Sequence, residues 1–162
     1  MPRAALWFAL SGLIVILDQA TKYWITGFLR YGESVRVTPF FDLVLTYNPG
    51  AAFSFLSQAS GWQRWFFIIL ALAISVWLVA LIRRHADELL QPAAFALVLG
   101  GAIGNVIDRV IFGAVIDFLY FHAGRFGWPA FNVADSAITL GVGLMVWEHL
   151  RPRRKTRIAA QR

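Results

Sequence analysis

The stretch Pro92–Phe112, PAAFALVLGGAIGNVIDRVIF, is an almost continuous apolar run that ends in a polar cluster of Asn105, Asp108 and Arg109. A run of about 20 apolar residues is long enough to cross the hydrocarbon core of a bilayer as a helix. An ionisable side chain near that core costs at least about 3 kcal/mol, so it marks a functional site by default. The stretch therefore predicts a membrane helix that carries part of a site.

Further apolar runs complete a predicted set of four membrane helices, at about 5–28, 62–82, 92–112 and 131–150. Of the 162 residues, 59% are hydrophobic and 15% are charged, a mixture ordinary for a compact helical membrane protein and too apolar for a small soluble domain. The first run continues past Lys22 with no small-x-small cleavage site, so we interpret it as a retained helix rather than a signal peptide. We expect a single membrane domain over 1–162.

Basic residues stand at those ends of the runs that share one side of the membrane: Arg3, Arg83-Arg84 and Arg151–Arg157. Such an arrangement predicts that both termini are cytoplasmic. The formal charge of +6 is spread over these ends rather than forming one patch, so nucleic acid is not an expected partner. We expect the tail at 151–162 to be disordered and attracted to anionic lipid.

The two remaining connections face outward in this topology, and their patterns favour strands. Ser34–Thr38 alternates polar and apolar residues, Phe40–Tyr47 is rich in β-formers, and Asn48-Pro49-Gly50 is a turn signal. Val115–Phe121 predicts another strand, followed by a turn at 124–129. A small β-sheet, from about 30–60 and 113–130, should therefore rest on the outer membrane surface of an otherwise all-α protein.

The polar clusters of the helices lie at a common depth. With a rise of 1.5 Å per helical residue, each cluster falls near the outer end of its helix. Asp117 follows in the outer connection, so all of these side chains should converge at the outward-facing interface. The clusters are Asp18 with Lys22, Asn105 with Asp108 and Arg109, and Asn132 with Asp135.

Several members of this set have a structural interpretation as well as a functional one. Asp18 and Lys22 are spaced i,i+4 with the acid first, and a structural ion pair is favoured over direct chemistry. Asp108 and Arg109 are adjacent and point about 100° apart on a helix, so they need other partners. Anchoring of the sheet and contact with substrate are equally supported for them, and Asn132 alone is a candidate helix cap.

Asp117 and Asp135 differ from Asp18 and Asp108 because neither has a basic residue close to it in the sequence. Two carboxylates brought together raise one pKa and lower the other, so that one acts as general base on water and the other as general acid. A catalytic dyad is the sharper hypothesis, and two separate hydrogen-bonded aspartates are the alternative.

Other chemistries find no support. The chain has no cysteine, hence no thiolate nucleophile or ligand. His85 and His149 fall on the cytoplasmic side and His122 outside, so no metal site is expected, and there is no Gly-x-Ser-x-Gly. Gly100-x-x-x-Gly104 lies inside an apolar run, where it predicts close helix packing rather than a nucleotide-binding loop.

In order along the chain, five motifs resemble those of bacterial lipoprotein signal peptidase, or signal peptidase II. The resemblance covers nearly the whole chain, and the five motifs together are far more specific than any one. A departure such as Ile116, where valine is frequent, is conservative. The motifs are Asp18-Gln19-x-x-Lys22, Asn48-Pro49-Gly50-Ala51-Ala52-Phe53, Gly100-Gly101-Ala102-Ile103-Gly104-Asn105-x-x-Asp108-Arg109, Ile116-Asp117-Phe118 and Phe131-Asn132-Val133-Ala134-Asp135-Ser136.

The resemblance implies an aspartyl endopeptidase that removes signal peptides from diacylglyceryl-modified prolipoproteins, just before the lipidated cysteine. It implies a monomer in the bacterial inner membrane, without metal or cofactor, whose site lies near the outer face. It further implies four helices, a β-cradle and a short surface helix near 52–60. The catalytic pair would be Asp117 and Asp135; the pocket would be formed by Asp18, Lys22, Asn48, Gly104, Asn105, Asp108, Arg109 and Asn132.

Two other function classes compete. A small transporter or proton- or cation-conducting protein would use Asp18, Asp108 and Asp135 as a relay, but a relay should reach the cytoplasmic face. The inner halves of the spans are nearly uncharged there, apart from Glu148. A non-catalytic assembly factor has no need of two unneutralised aspartates at one depth.

Overall fold

The computed structural model describes residues 2–50 and 61–151. Four long helices and a small antiparallel sheet make up this part of the chain. The helices are α1 (Pro2–Phe28), α2 (Trp62–Arg84), α3 (Leu90–Phe112) and α4 (Val133–Leu150). The strands are β1 (Ser34–Thr38), β2 (Phe41–Asn48), β3 (Val115–Ala123) and β4 (Phe126–Gly127).

Among the described helices, α1, α2 and α3 are long and apolar enough to cross a membrane. The helix α4, which carries Asp135 and Glu148 near its two ends, does not belong to that group. The predicted helix positions are confirmed to within a few residues, whereas the prediction of a fourth span stays a prediction.

The central helix of the bundle is α3, which packs against α1, α2 and α4. In its most apolar window 67% of the residues are buried, against 17% in α1 and 22% in α2. A helix that is hydrophobic on all sides is stable where protein or lipid surrounds it, as in the centre of this bundle. The polar cluster at the end of α3 is therefore placed among three elements rather than in lipid.

Glycines let α3 approach its neighbours closely. A Cβ on Gly104 would stand 2.6 Å from the Asp18 carboxylate of α1, and one on Gly101 would collide with the Ala134 carbonyl of α4. A Cβ on Gly100 would stand 2.7 Å from the carbonyl oxygen of Ser11 in α1. The close packing predicted from Gly100-x-x-x-Gly104 is thus confirmed, and the helices meet where the polar clusters lie.

The sheet has the order β1-β2-β3-β4, and its strand β3 packs against α1 and α3, near the C-terminal ends of these helices. In β2 and β3, Thr46 pairs with Asp117, next to a bulge between Leu43 and Thr46. Under the sheet, Ile25 of α1 and Leu29, which directly follows the helix, pack with Leu45, Ile116 and Phe118 in a buried apolar cluster. This cluster fixes β3 against the helices and so fixes the position of Asp117.

The strands predicted from the sequence are present, with one correction. The segment 124–129, predicted as a turn, contains the two-residue strand β4, whose Phe126 and Gly127 pair with Ala123 and His122. The tight turn is limited to the tip of this hairpin, where Gly124 has a positive φ of 59°. The predicted surface helix near 52–60 and nearly all of the tail at 151–162 lie outside the described residues.

Candidate active site

A cavity of about 930 Å³ opens between α3, α4, β2 and β3. Five residues predicted from the sequence contribute to its wall. The others of that set are buried behind the wall, as described below. The five are Asn48, Asn105, Arg109, Asp117 and Asp135.

Asp117 projects from β3 and is only 2% exposed. Its Oδ1 accepts a hydrogen bond of 2.8 Å from Asn132 Nδ2, and its Oδ2 accepts one of 3.3 Å from Asn48 Nδ2. Burial first, and then the nearby charge of Asp135, raise the pKa of the Asp117 carboxyl to about 7, while the two amide hydrogen bonds oppose this rise. A carboxyl with this pKa exchanges its proton near neutral pH.

Asp135 stands in the first turn of α4, where the helix dipole favours a negative charge. Its backbone N–H donates to Asn132 Oδ1 at 2.8 Å, and its Oδ1 accepts a hydrogen bond of 2.8 Å from Asn105 Nδ2. Within residues 2–50 and 61–151, neither Asp117 nor Asp135 forms an ion pair. The two carboxylates are thus held by amides of asparagine, and no cation neutralises either one directly.

Asn132 caps α4, as predicted, and it also belongs to the site. Its Oδ1 satisfies a free N–H of the helix N-terminus, while its Nδ2 donates to Asp117 and to Asn105 Oδ1 at 3.3 Å. One side chain therefore both caps α4 and holds the Asp117 carboxylate, and a functional role for Asn132 stays a prediction.

Asp18 and Lys22 form the predicted i,i+4 ion pair, at 2.8 Å. The pair is not self-contained, however, because Lys22 Nζ also contacts Asp108 Oδ2 at 2.7 Å. Both carboxylates are fully buried, and the ammonium is 2% exposed. Burial of this degree needs compensating partners, and here one cation serves two anions on different helices.

Asp108 anchors the sheet. Its Oδ2 accepts a hydrogen bond of 3.1 Å from the backbone N–H of Ile116, the residue that precedes Asp117 in β3. Gln19 Nε2 donates to its Oδ1 at 2.9 Å. Of the two roles that the sequence left open, these contacts favour anchoring for Asp108.

Arg109, in contrast, lies against the cavity. Its Nη2 donates to the Gly50 carbonyl at 2.8 Å, and its guanidinium lies 5.1 Å from the centre of the Phe67 ring. The turn at Asn48-Pro49-Gly50 is closed by a hydrogen bond of 3.0 Å from Gly50 N–H to Asn48 Oδ1. One cation therefore ties α3 to the turn that carries Asn48.

Sequence reasoning missed two parts of this arrangement. Gln19 belongs to the first motif but is not among the predicted site residues, although its amide donates to both Asp108 Oδ1 and the carbonyl of Gly104. The cavity wall also includes Tyr120, Trp128 and Thr139. Thr139 is four residues after Asp135, so helical periodicity was a usable signal for it; the other two depend on how the sheet is placed.

A family model and individual relatives of known sequence point to the same protein family. The sequence model of the family described as Signal peptidase (SPase) II matches residues 10–151. The lipoprotein signal peptidase of Azoarcus sp. (strain BH72) is 63% identical over 145 residues, covering 90% of this chain and 82% of that protein. That of Janthinobacterium sp. (strain Marseille) is 53% identical over 145 residues, covering 90% and 88%.

Two solved structures share the fold. Both are described as bacterial membrane enzymes studied by the in meso method, at 2.3 Å and 1.9 Å resolution. The first has a TM-score of 0.84 and 32% identity, covering 98% of this chain and 95% of that one. The second has a TM-score of 0.79 and 35% identity, covering 91% and 94%.

Proposed function

The chain belongs to the signal peptidase II family and cleaves the signal peptides of lipoproteins as a protease of the bacterial inner membrane, and we propose that Asp117 and Asp135 perform the cleavage. The observation that carries the proposal is their common setting. Both carboxylates line one cavity, and each accepts hydrogen bonds from asparagine amides whose oxygens are already engaged.

Hydrolysis by this pair needs one shared proton. The ionised aspartate removes a proton from a water molecule, which attacks the carbonyl carbon of the scissile peptide, while the protonated partner hydrogen-bonds the carbonyl oxygen. Collapse of the tetrahedral intermediate breaks the C–N bond, and the amine leaves with a proton delivered by the pair. The raised pKa of Asp117, about 7, supports a pair that holds one proton near neutral pH.

We propose that Asn48, Asn105 and Arg109 line the substrate pocket. Asp18, Lys22, Gly104, Asp108 and Asn132 support it from behind. The asparagine amides keep the carboxylates turned toward the cavity, and the Arg109 guanidinium fixes the Gly50 carbonyl at its edge. Positioning of this kind contributes to rate because the reacting groups need no reorganisation.

The membrane arrangement belongs to the proposal too. We take α4 as a fourth span and 1–162 as one domain, with both termini cytoplasmic and the sheet on the outer face. The basic residues Arg83 and Arg84 end α2, and Arg3 begins α1 on the same side as the α2–α3 loop, where it pairs with Asp87 at 3.5 Å. This common location of the basic residues supports a cytoplasmic position for that side.

The proposed substrate is a prolipoprotein carrying a diacylglyceryl group on its cysteine, cut just before that residue. Its acyl chains would remain among the spans, where each buried CH₂ contributes about 0.8 kcal/mol. The cavity wall formed by Trp128, Phe131 and Leu140 supports an apolar occupant next to the dyad. The enzyme would act as a monomer in contact with membrane lipids.

The rival function of a proton or cation relay is less well supported. The buried acids that face one another in the described residues are concentrated at the outer ends of α1, α3 and α4. Toward the inner end of the bundle, Leu78, Ile82 and Phe95 form an apolar core instead. A conducting path across this core would lack polar groups.

Cleavage is tested by incubating the purified protein with a lipid-modified prolipoprotein and with the same protein lacking the lipid. Cleavage of the modified form alone, at the bond before the cysteine, is the expected result. Equal cleavage of both forms, or cleavage of neither, contradicts the proposed substrate.

A further inference from the structure

We propose that Lys22 is a positioning residue for the proteolytic site, whose one ammonium group holds both catalytic carboxylates in place from behind. The inference rests on the proposed roles of Asp117 and Asp135. It goes further because Lys22 itself does not line the cavity, yet it connects to each aspartate by a short chain of contacts.

The Lys22 ammonium has three close oxygen partners. It donates hydrogen bonds to Asp18 Oδ2 at 2.8 Å and to Asn105 Oδ1 at 3.1 Å, and it forms an ion pair with Asp108 Oδ2 at 2.7 Å. A lysine ammonium can donate but not accept, so each of these oxygens is an acceptor or a counter-ion. With a side chain only 2% exposed, it has no exchange with solvent that would compete for these partners.

The two carboxylates that contact Lys22, those of Asp18 and Asp108, each bind the backbone next to one catalytic residue. Asp18 Oδ1 accepts a hydrogen bond of 2.9 Å from the backbone N–H of Ala134, the residue before Asp135. Asp108 Oδ2 accepts one of 3.1 Å from the backbone N–H of Ile116, the residue before Asp117. Each catalytic residue is therefore preceded by a backbone group tied to a carboxylate of the Lys22 centre.

The third contact determines how Asn105 is turned. Because Lys22 can only donate, it requires the oxygen of the Asn105 amide, and the Nδ2 group must then face Asp135 Oδ1. The reversed amide would set two donors against each other and two oxygens against each other. With Oδ1 of Asp135 committed as an acceptor, a proton on this carboxyl belongs on Oδ2.

The ammonium also acts on the pair through its charge. A positive charge behind the dyad opposes the uptake of a proton by it, and a negative charge favours uptake. From β2 the pair faces the uncharged Asn48, and β3 and α4 supply the pair itself. The charged groups that act on it are Lys22 and Asp18 from α1 and Arg109 from α3, and Asp108 of α3 is paired with Lys22 behind them.

The test uses the pH dependence of kcat/KM, which reports the ionisation of the free enzyme. Lys22→Gln removes the positive charge, and Asp108→Asn removes a negative one with almost no change of shape. Arg30→Gln, at an exposed position two residues after α1, is the matched control for the loss of one positive charge. Folded protein is quantified by gel filtration in detergent for every variant.

The acid limb of the profile should move to higher pH in Lys22→Gln and to lower pH in Asp108→Asn, each by at least about half a unit, and stay unchanged in Arg30→Gln. Per folded molecule, kcat of Lys22→Gln should fall by about 100-fold, while KM changes much less. If Lys22→Gln does not fold, the direction of the shift in Asp108→Asn decides alone.

An unshifted profile in the folded variants, or activity that simply follows the folded fraction, overturns the proposal and leaves Lys22 a structural residue. Asp117→Asn is measured in the same assay. If that variant is active, the proposed dyad has failed, whatever the two charge variants show, so the two failures are distinguishable.

Discussion

At the residue scale, the main determinant of the site's protonation is the free-energy cost of ionising a buried carboxyl group. Asp117 is 2% exposed, and its pKa lies near 7 because burial, and then the charge of Asp135, disfavour ionisation. In an unfolded chain an aspartate has a pKa of about 3.9. Since the folded pKa is the higher one, the stabilising contribution of Asp117 is complete below about pH 4 and is lost as pH rises through about 7.

Replacing Asp117 by asparagine should therefore stabilise the protein at alkaline pH. The variant removes a buried charge at pH 8 but has a smaller effect at pH 5, where the native carboxyl is protonated and only the unfolded chain is ionised at this position. Thermal unfolding in detergent at both pH values measures this: the increase in Tm should be larger at pH 8. An increase that is equal at both, or larger at pH 5, contradicts the raised pKa of Asp117.

A second residue-scale prediction concerns Gly104, whose Cβ would stand 2.6 Å from Asp18 Oδ2. Gly104→Ala should destabilise the protein by about 2 kcal/mol, because the buried Asp18 carboxylate cannot move without leaving Lys22. Gly27→Ala in α1 is the control, since nothing lies within 4 Å of its Cβ. Equal unfolding temperatures for the two variants would show that α1 and α3 have room to separate.

At the element scale, the N-terminus of α4 lies directly beside the candidate site. Asn132 caps the helix with Oδ1 and donates to Asp117 with Nδ2, so one residue couples the start of α4 to β3. The sequence allowed the cap and the convergence of the clusters to be predicted, because both follow from local patterns. It did not allow the sharing of Lys22 between Asp18 and Asp108, which depends on the close approach of α1 and α3.

The two functions of Asn132 can be separated. Asn132→Ser keeps a capping oxygen but loses the amide that donates to Asp117, whereas Asn132→Ala loses both. The alanine variant should be less stable than the serine variant by about 1 kcal/mol, while both lose most of their activity. Full activity in Asn132→Ser, measured with lipid-modified substrate, would reduce Asn132 to a helix cap.

At the scale of the whole molecule, the topology fixes which side of the membrane the site faces. The chain has no cysteine, so single cysteines can be introduced without background. Arg125, in the exposed β3–β4 turn, should be labelled as cysteine by an impermeant reagent in spheroplasts. A cysteine at Asp87, in the α2–α3 loop with 89% side-chain exposure, should be labelled only after lysis. The reverse pattern would place the sheet and the dyad in the cytoplasm.

The helices and strands were predictable because apolar length and β-patterns are local properties, and the motifs identified the family. Other features of the whole molecule were not predictable in this way. The wall residues Tyr120 and Trp128 meet Asp135 only after the sheet has folded over the helices, and β4 is too short to produce a pattern.

The most direct test of the aspartyl mechanism is the rate of cleavage of lipid-modified prolipoprotein by Asp117→Asn, Asp135→Asn and the double variant. Asparagine is nearly isosteric with aspartate but serves neither as base nor as acid. Each folded single variant should lose activity by about a thousandfold or more, and the double variant should lose little more, because the two residues act as one unit. Near-normal cleavage by either folded single variant contradicts the assignment of Asp117 and Asp135 as the catalytic pair.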